Sequence, residues 1–165
     1  MKTVCLIRHA KSSWSNPSLQ DIDRPLNNRG LRDAPFMAKL LKGKGISPDL
    51  IVSSPANRAF TTASYFAEAA AIPREQIRIE REVYEAWPAD ILRVIQQLPE
   101  SANTILLFGH NPGFTSLANQ FANEYIPNVP TCGIVHISGQ IDTWAAFNPD
   151  SARQIAFYYP KQYFT

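Results

Sequence analysis

The feature that most constrains the fold of this chain is an alternation of short apolar runs with longer segments whose apolar residues recur at helical spacing. Strand-like runs occupy residues 3–7, 50–52, 77–79 and 104–108. Helix-like segments follow them at residues 29–42, 55–70, 89–98 and 112–121. This order is typical of a parallel sheet with helices packed on its faces. We therefore predict an α/β protein, a three-layer α/β/α sandwich with a mostly parallel central sheet.

Prolines and serines refine the element boundaries. Pro35 falls within the segment 29–42, where we expect a first-turn position or a kink. Ser53 and Ser54 are candidate caps for the next helix, and Pro55 suits its first position. The apolar stretches at residues 134–137 and 144–147 are predicted to be the final strands.

Length and charge bound the class of protein. The chain has 165 residues, of which 45% are hydrophobic, and this predicts one folded domain over residues 1–165. The formal net charge of +2 is too small to indicate a nucleic-acid-binding protein. Residues 1–60 nevertheless carry ten basic and four acidic side chains. This local excess favours an anion site over a surface that binds polyanions.

Compartment and cofactor signals are weak. No stretch approaches the roughly 20 apolar residues of a membrane span, and the N-terminal apolar run is too short for a signal peptide. Cys5 and Cys132 form no CxxC motif, so we expect buried reduced thiols. Three histidines without HxxxH spacing argue against a metal site. We expect a cytoplasmic monomer that needs no metal or other cofactor and binds neither nucleic acid nor membrane.

Two of the three histidines lie where predicted strands end. Arg8 and His9 follow the first strand, and His110 follows the strand at 104–108. Ser53-Ser54-Pro55 follows the strand at 50–52, and Arg58 lies one helical turn after it. Because ligands of open α/β sheets bind at the carboxyl ends of the strands, we expect these four side chains to share one crevice.

This set of side chains suits phosphoryl transfer. Arginine presents a planar, permanently charged fork that matches phosphate oxygens. A neutral imidazole has a lone pair that can attack phosphorus, and nearby arginines disfavour its cationic form.

The third histidine, His136, lies in an alternating apolar strand and is expected to be structural. The three tryptophans are expected to pack or to line a pocket rather than to stack on bases: Trp14, Trp87 and Trp144.

Four segments carry a resemblance to a known family. They read LIRHAKSSW at 6–14, DRPLNNRG at 23–30, SSPANRAFTTA at 53–63 and GHNPG at 109–113. In this order they resemble the histidine phosphatase superfamily, which includes the cofactor-dependent phosphoglycerate mutases. Within it, the chain is similar to the phosphohistidine phosphatases of the SixA type. The resemblance implies a phosphoglycerate mutase-like fold.

The resemblance also implies roles for the matching residues. His9 would accept the phosphoryl group and form a phosphohistidine intermediate that water then hydrolyses. Arg8 and Arg58 would hold the phosphate oxygens. His110 would complete the pocket and stabilise the transition state.

The match to the family motifs is less direct at other positions. The resemblance implies minor phosphate contacts from Ser12 and Asn16. At Ala10 the chain departs from the commonest superfamily motif, which has glycine after the nucleophile, although SixA-type members commonly have alanine there.

The chain also departs from the family pattern at the position of the general acid. Mutases and phosphomonoesterases of the family carry an acidic residue between the second arginine and the second histidine, whereas Glu80, Glu82 and Glu85 fall in no clean motif here. An alkoxide leaving group needs protonation in the transition state, and imidazole depends on it less. We therefore expect a phosphatase that acts on a phosphohistidine-bearing signalling protein. The alternatives are a small-molecule phosphomonoesterase or mutase, and a phosphoprotein-binding module without turnover.

Overall fold

The apolar runs of the sequence become strands of one six-stranded sheet in the computed structural model, which describes residues 1–164. The strands are β1 (Lys2–Arg8), β2 (Leu50–Ser53), β3 (Arg78–Ile79), β4 (Thr104–Gly109), β5 (Ile134–Gly139) and β6 (Ala152–Tyr158). Their order is β3-β2-β4-β1-β5-β6. The first four pair in parallel, whereas β5 and β6 pair antiparallel. The predicted mostly parallel sheet is confirmed.

Four helices cover the two faces of this sheet. They are α1 (Asn28–Gly43), α2 (Asn57–Ala69), α3 (Pro88–Gln96) and α4 (Gly113–Phe121). One core cluster joins the sheet to α1 and α2, and the other joins it to α3 and α4. The three predicted layers are therefore present. Within residues 1–164, no helix has both the length and the apolar character needed to cross a membrane.

The sequence of the central strand β1 is apolar without alternation because both faces of the strand are buried. Val4 and Leu6 pack in the cluster that contains α3 and α4, and Cys5 and Ile7 pack in the cluster that contains α1 and α2. All four side chains are at most 1% exposed. A strand that is covered on both faces reads as a continuous apolar run.

Helix α1 is fixed against the segment that follows β1. The Oδ1 atom of its cap residue Asn27 accepts a hydrogen bond from the Gly30 backbone N–H at 2.9 Å. A β-carbon at Gly30 would collide with the Lys11 carbonyl oxygen, so this close approach requires glycine. Pro35 lies inside α1, beyond the first turn.

The prediction for the last strand was wrong. The stretch at 144–147 forms a 3₁₀ turn, Trp144–Ala146, and the final strand is β6. Trp144 is fully buried, and its backbone N–H and ring Nε1–H donate to Glu100 and to the Ala102 carbonyl oxygen. The run is apolar because it fills the core from a turn, and periodicity over four residues does not distinguish this from a buried strand.

Candidate active site

The parallel pairing of β1 and β4 brings the two predicted histidines together. Arg8 is in register with Gly109, so His9 and His110 leave the sheet at the same height. Their ring centroids are 5.1 Å apart. Gly109 is needed here because a β-carbon would lie 2.6 Å from the Phe114 ring.

A cleft of about 230 Å³ lies at these strand ends. Its lining consists of Arg8, His9, Lys11, Ser12, Trp14, Arg24, Arg58, His110, Asn111 and Thr131. Five of the six predicted site residues are therefore in one cleft. The sixth, Asn16, does not line it and instead accepts hydrogen bonds from Ser18 on the surface. A larger groove of about 610 Å³ beside β6 is lined by no histidine or arginine.

The hydrogen bonding of His9 determines which nitrogen is free. Its Nδ1 lies 2.7 Å from the Ala10 carbonyl oxygen. Because a carbonyl can only accept, Nδ1 carries the proton and donates it, which leaves the lone pair on Nε2. Burial lowers the pKa of His9 to about 3 against the effect of this hydrogen bond, and the charges of Arg58 and Arg8 act in the same direction as burial. At pH 7 His9 is neutral and Nε2 can act as a nucleophile.

His110 contributes a hydrogen-bond donor to the cleft, whereas His9 contributes a lone pair. Its Nε2 lies 2.8 Å from the Ser54 Oγ, which also accepts the Ala56 backbone N–H at 3.2 Å. Within residues 1–164 the Ser54 hydroxyl hydrogen has no acceptor other than His110 Nε2, so we assign the His110 proton to Nδ1. That Nδ1 is buried and has no partner. Burial, followed by the charge of Arg58, lowers the pKa of His110 to about 3, so the ring is neutral at pH 7.

This use of Ser54 corrects the predicted helix start. Ser53 and Ser54 do not cap α2, which begins at Asn57 after Ala56 without a side-chain cap, and Pro55 lies before the helix. The Ser54 side chain accepts the Ala56 N–H within the turn and orients His110. The prediction that Ser54 caps a helix was wrong because its hydroxyl contacts His110 and the Ala56 N–H instead.

Unpartnered donors identify the cleft as an anion site. Arg8 Nη1 donates to the Val129 carbonyl oxygen at 3.0 Å, and Arg58 Nη1 donates to the Asp21 carbonyl oxygen at 2.7 Å. Both arginines nevertheless keep a buried Nε–H without an acceptor. Within residues 1–164, three of the four buried side-chain polar atoms without partners belong to Arg8, Arg58 and His110. Since buried donors are normally paired, this cluster is what a bound oxyanion would complete.

A carboxylate that the sequence did not reveal holds Arg58 in place. Asp21 accepts hydrogen bonds from Arg58 Nη2 at 3.0 Å, Tyr84 Oη at 2.6 Å and Arg24 Nε at 3.1 Å. Burial acts to raise the pKa of Asp21, but these three donors outweigh it and hold that pKa well below its usual range. Burial and the bond to Asp21 raise the pKa of Tyr84 to about 12. Asp21 is thus an ionised positioning residue.

Arg24 is a third arginine of the cleft. Its Nη1 donates to Ser12 Oγ at 2.7 Å, and its guanidinium lies 3.5 Å from the centroid of the Trp14 ring. Arg24 lies in the DRPLNNRG segment that carries part of the family resemblance, and this is the sequence signal that could have identified it. Arg24 also explains the position of Ser12, whose hydroxyl it holds at the cleft.

The three candidate acids do not reach the cleft. Glu80 pairs with Arg78 at 3.3 Å, and Glu82 and Glu85 are exposed. None of them lines the cleft. The carboxylate that contacts cleft residues is Asp21, which is ionised at neutral pH.

Comparison with known proteins agrees with this geometry. Residues 4–105 match the model of the histidine phosphatase superfamily (branch 1). A SixA protein from Agrobacterium tumefaciens, assigned as a phosphohistidine phosphatase, is 30% identical with a TM-score of 0.81, and the match covers 96% of this chain and 98% of that one. The protein histidine phosphatase SixA complexed with tungstate shares the fold at a TM-score of 0.81 and 20% identity, over 97% and 98% of the two chains.

A mutase also shares part of the sequence. The 2,3-bisphosphoglycerate-dependent phosphoglycerate mutase of Bifidobacterium longum is 36% identical over 69 residues, which cover 41% of this chain and 28% of the mutase. Together with the sheet order and the three layers, these similarities confirm the predicted phosphoglycerate mutase-like fold.

Proposed function

The chain belongs to the histidine phosphatase superfamily, and we propose that it hydrolyses protein phosphohistidine. The observation that carries the proposal is the pairing of a nucleophile with an oxyanion site. The free Nε2 of neutral His9 shares its cleft with the unpartnered buried donors of Arg8, Arg58 and His110. This arrangement supports phosphoryl transfer to histidine.

In the first step, His9 Nε2 attacks phosphorus. A P–N bond to His9 forms while the P–N bond of the substrate breaks. The substrate ring, protonated on its other nitrogen, leaves with the electron pair as neutral imidazole. The guanidinium groups of Arg8 and Arg58 offset the charge on the transferring oxygens. The His110 Nδ1–H adds a neutral donor to the same group.

In the second step, water attacks the phosphohistidine formed on His9. The new P–O bond replaces the P–N bond, the electron pair returns to Nε2, and the proton of the water passes to the phosphate or to solvent. His9 is again neutral because Nδ1 keeps its proton, which it donates in a hydrogen bond to the Ala10 carbonyl oxygen. Inorganic phosphate is released.

The state of the carboxylates supports phosphohistidine over a phosphate ester. Departure of an alkoxide requires a general acid, which contributes about 100- to 10,000-fold. Asp21 is ionised, and Glu80, Glu82 and Glu85 lie outside the cleft. A phosphohistidine ring that is protonated on its second nitrogen leaves as neutral imidazole, whose conjugate acid has a pKa of about 6.5, so its departure needs no further proton. The partner that we propose is therefore a signalling protein that carries phosphohistidine.

One observation favours a second candidate function. The similarity to a phosphoglycerate mutase over 69 residues supports a small-molecule phosphomonoesterase or mutase. That reaction would need an acid that the present cleft lacks among its lining residues.

A comparison of substrates tests the proposal. We expect kcat/KM for a histidine-phosphorylated protein to exceed that for phosphoserine, 3-phosphoglycerate and sugar phosphates by about 100-fold, the lower value for a missing general acid. Phosphate release is measured for all substrates under the same conditions, and the His9→Ala variant gives the spontaneous loss from phosphohistidine. Faster turnover of the phosphate esters would reject the proposal in favour of the second candidate.

A further inference from the structure

We infer that the indole of Trp14 forms a second subsite of the cleft, which binds the leaving imidazole ring of the substrate. This inference rests on the proposed function, since it assigns a ring-binding role to the wall of the same cleft. The subsite would select substrates whose phosphoryl group is attached to an aromatic ring.

The first argument is that the indole of Trp14 is not part of the hydrophobic core. Trp14 is 73% exposed and belongs to neither core cluster. Trp144, by comparison, is fully buried and packs in the core. Trp14 nevertheless lines the cleft together with His9 and Arg58. A large aromatic side chain that is left in solvent beside a reactive group is available to a ligand.

The second argument is that the ring is held in position. The Arg24 guanidinium lies 3.5 Å from the centroid of the indole. Arg24 is only 7% exposed and is anchored through Ser12 Oγ, the Ser13 carbonyl oxygen and the Asp21 carboxylate. One face of the indole is therefore covered by a fixed cation, while the remainder of the ring stays accessible. A ring fixed in this way loses little conformational entropy when it binds a ligand.

The backbone next to Trp14 is also fixed. The Ser13 N–H donates to the Pro25 carbonyl oxygen at 2.8 Å, and Ser12 forms an isolated bridge with Leu26. Trp14 thus follows directly on a paired segment. Its ring stands at the cleft because the residues that follow Arg24 pair with the two residues before Trp14.

The chemistry of the proposed substrate matches this surface. Aromatic rings attract one another in offset or edge-to-face contacts beyond the effect of buried area. The cleft volume of about 230 Å³ accommodates a phosphoryl group with part of the attached ring. Contact with the indole would orient the imidazole so that its P–N bond points toward His9 Nε2.

The experiment compares two substrates that both contain a P–N bond. Phosphohistidine in a peptide releases an aromatic ring, whereas phosphoramidate releases ammonia. For Trp14→Ala, we expect the ratio of kcat/KM for the phosphohistidine peptide to kcat/KM for phosphoramidate to fall about 10-fold. Trp14→Phe retains a ring and should keep the ratio within about 3-fold of the parent. The matched control is Trp87→Ala, an exposed tryptophan that does not line the cleft.

Three outcomes would overturn the inference. An unchanged ratio in Trp14→Ala, with both substrates slowed equally, would mean that Trp14 serves only to hold Arg24. A ratio that falls as far in Trp14→Phe as in Trp14→Ala would exclude a role for the aromatic ring. Parent protein that hydrolyses phosphoramidate but not the phosphohistidine peptide would reject the proposed function itself, and the inference with it.

Discussion

Replacement of His9 by alanine should lower the hydrolysis of phosphohistidine at least about 1,000-fold, as expected for the loss of a covalent nucleophile. His9 is the cleft residue with a neutral imidazole and a free Nε2. The oxyanion donors of Arg8, Arg58 and His110 would remain, but water would have to attack the substrate directly. Single-turnover phosphate release with enzyme in excess measures the loss.

The matched control for this variant is His136→Gln. His136 lies in β5, outside the cleft, and its substitution should leave the rate within about twofold, as for most changes away from a site. Circular dichroism should show that both variants are folded. If His9→Ala keeps more than about a tenth of the parent rate, His9 is not the nucleophile. A loss of about 10-fold or less is far smaller than the contribution of a nucleophile.

Replacement of Arg58 by alanine should lower kcat/KM by about 100- to 1,000-fold, the usual effect of losing one preorganised oxyanion donor. Arg58 is 6% exposed, lies in the first turn of α2, and is held by the backbone and carboxylate of Asp21. Two of its nitrogens are thus engaged, which fixes the plane of the guanidinium and leaves the buried Nε–H for the phosphate. The loss should appear mainly in kcat if this donor acts most strongly on the transition state.

A lysine at this position provides a stringent comparison. Arg58→Lys keeps the positive charge but lacks the planar fork that can bind Asp21 and phosphate at the same time. Its kcat/KM should therefore exceed that of Arg58→Ala by no more than about 10-fold. Arg93→Ala is the control, because Arg93 is an exposed arginine of α3 that pairs with Asp90. If Arg58→Ala stays within about fivefold of the parent, Arg58 does not bind the transferring group, because such a donor contributes much more.

The parts of the site that could be predicted are those that depend on short-range pattern. Arg8 and His9 follow an apolar run that is buried on both faces, and His110 follows another. The rule that strand ends converge in a parallel sheet then places the imidazoles together, and the structure has their centroids 5.1 Å apart. Arg58 is brought to the same cleft because α2 begins near the carboxyl end of β2.

The parts that could not be predicted depend on contacts between distant segments. Asp21 joins Arg58, 37 residues away, to Tyr84, 63 residues away. No periodicity connects these positions, and Asp21 belongs to none of the predicted strands or helices. The same reason explains Ser54, whose local pattern suggested a helix cap while its hydroxyl bonds His110, 56 residues away.

The last strand could not be predicted from the sequence for a different reason. Residues 144–147 are more apolar than β6, which contains Arg153 and Gln154 and leaves Ile155 61% exposed. Hydrophobicity therefore favoured the wrong segment. Only the antiparallel pairing of β6 with β5 distinguishes them, and that pairing is a property of the folded sheet.

The most direct test of the account is the chemical identity of the intermediate. A histidine-phosphorylated protein labelled with ³²P is mixed with excess enzyme and quenched in alkali within one turnover. The account predicts enzyme-bound label that is stable in alkali, lost in acid, and mapped to the peptide containing His9, with none on the His9→Ala variant. Label that maps to another residue, or rapid turnover by the parent with no labelled enzyme at any quench time, would contradict it.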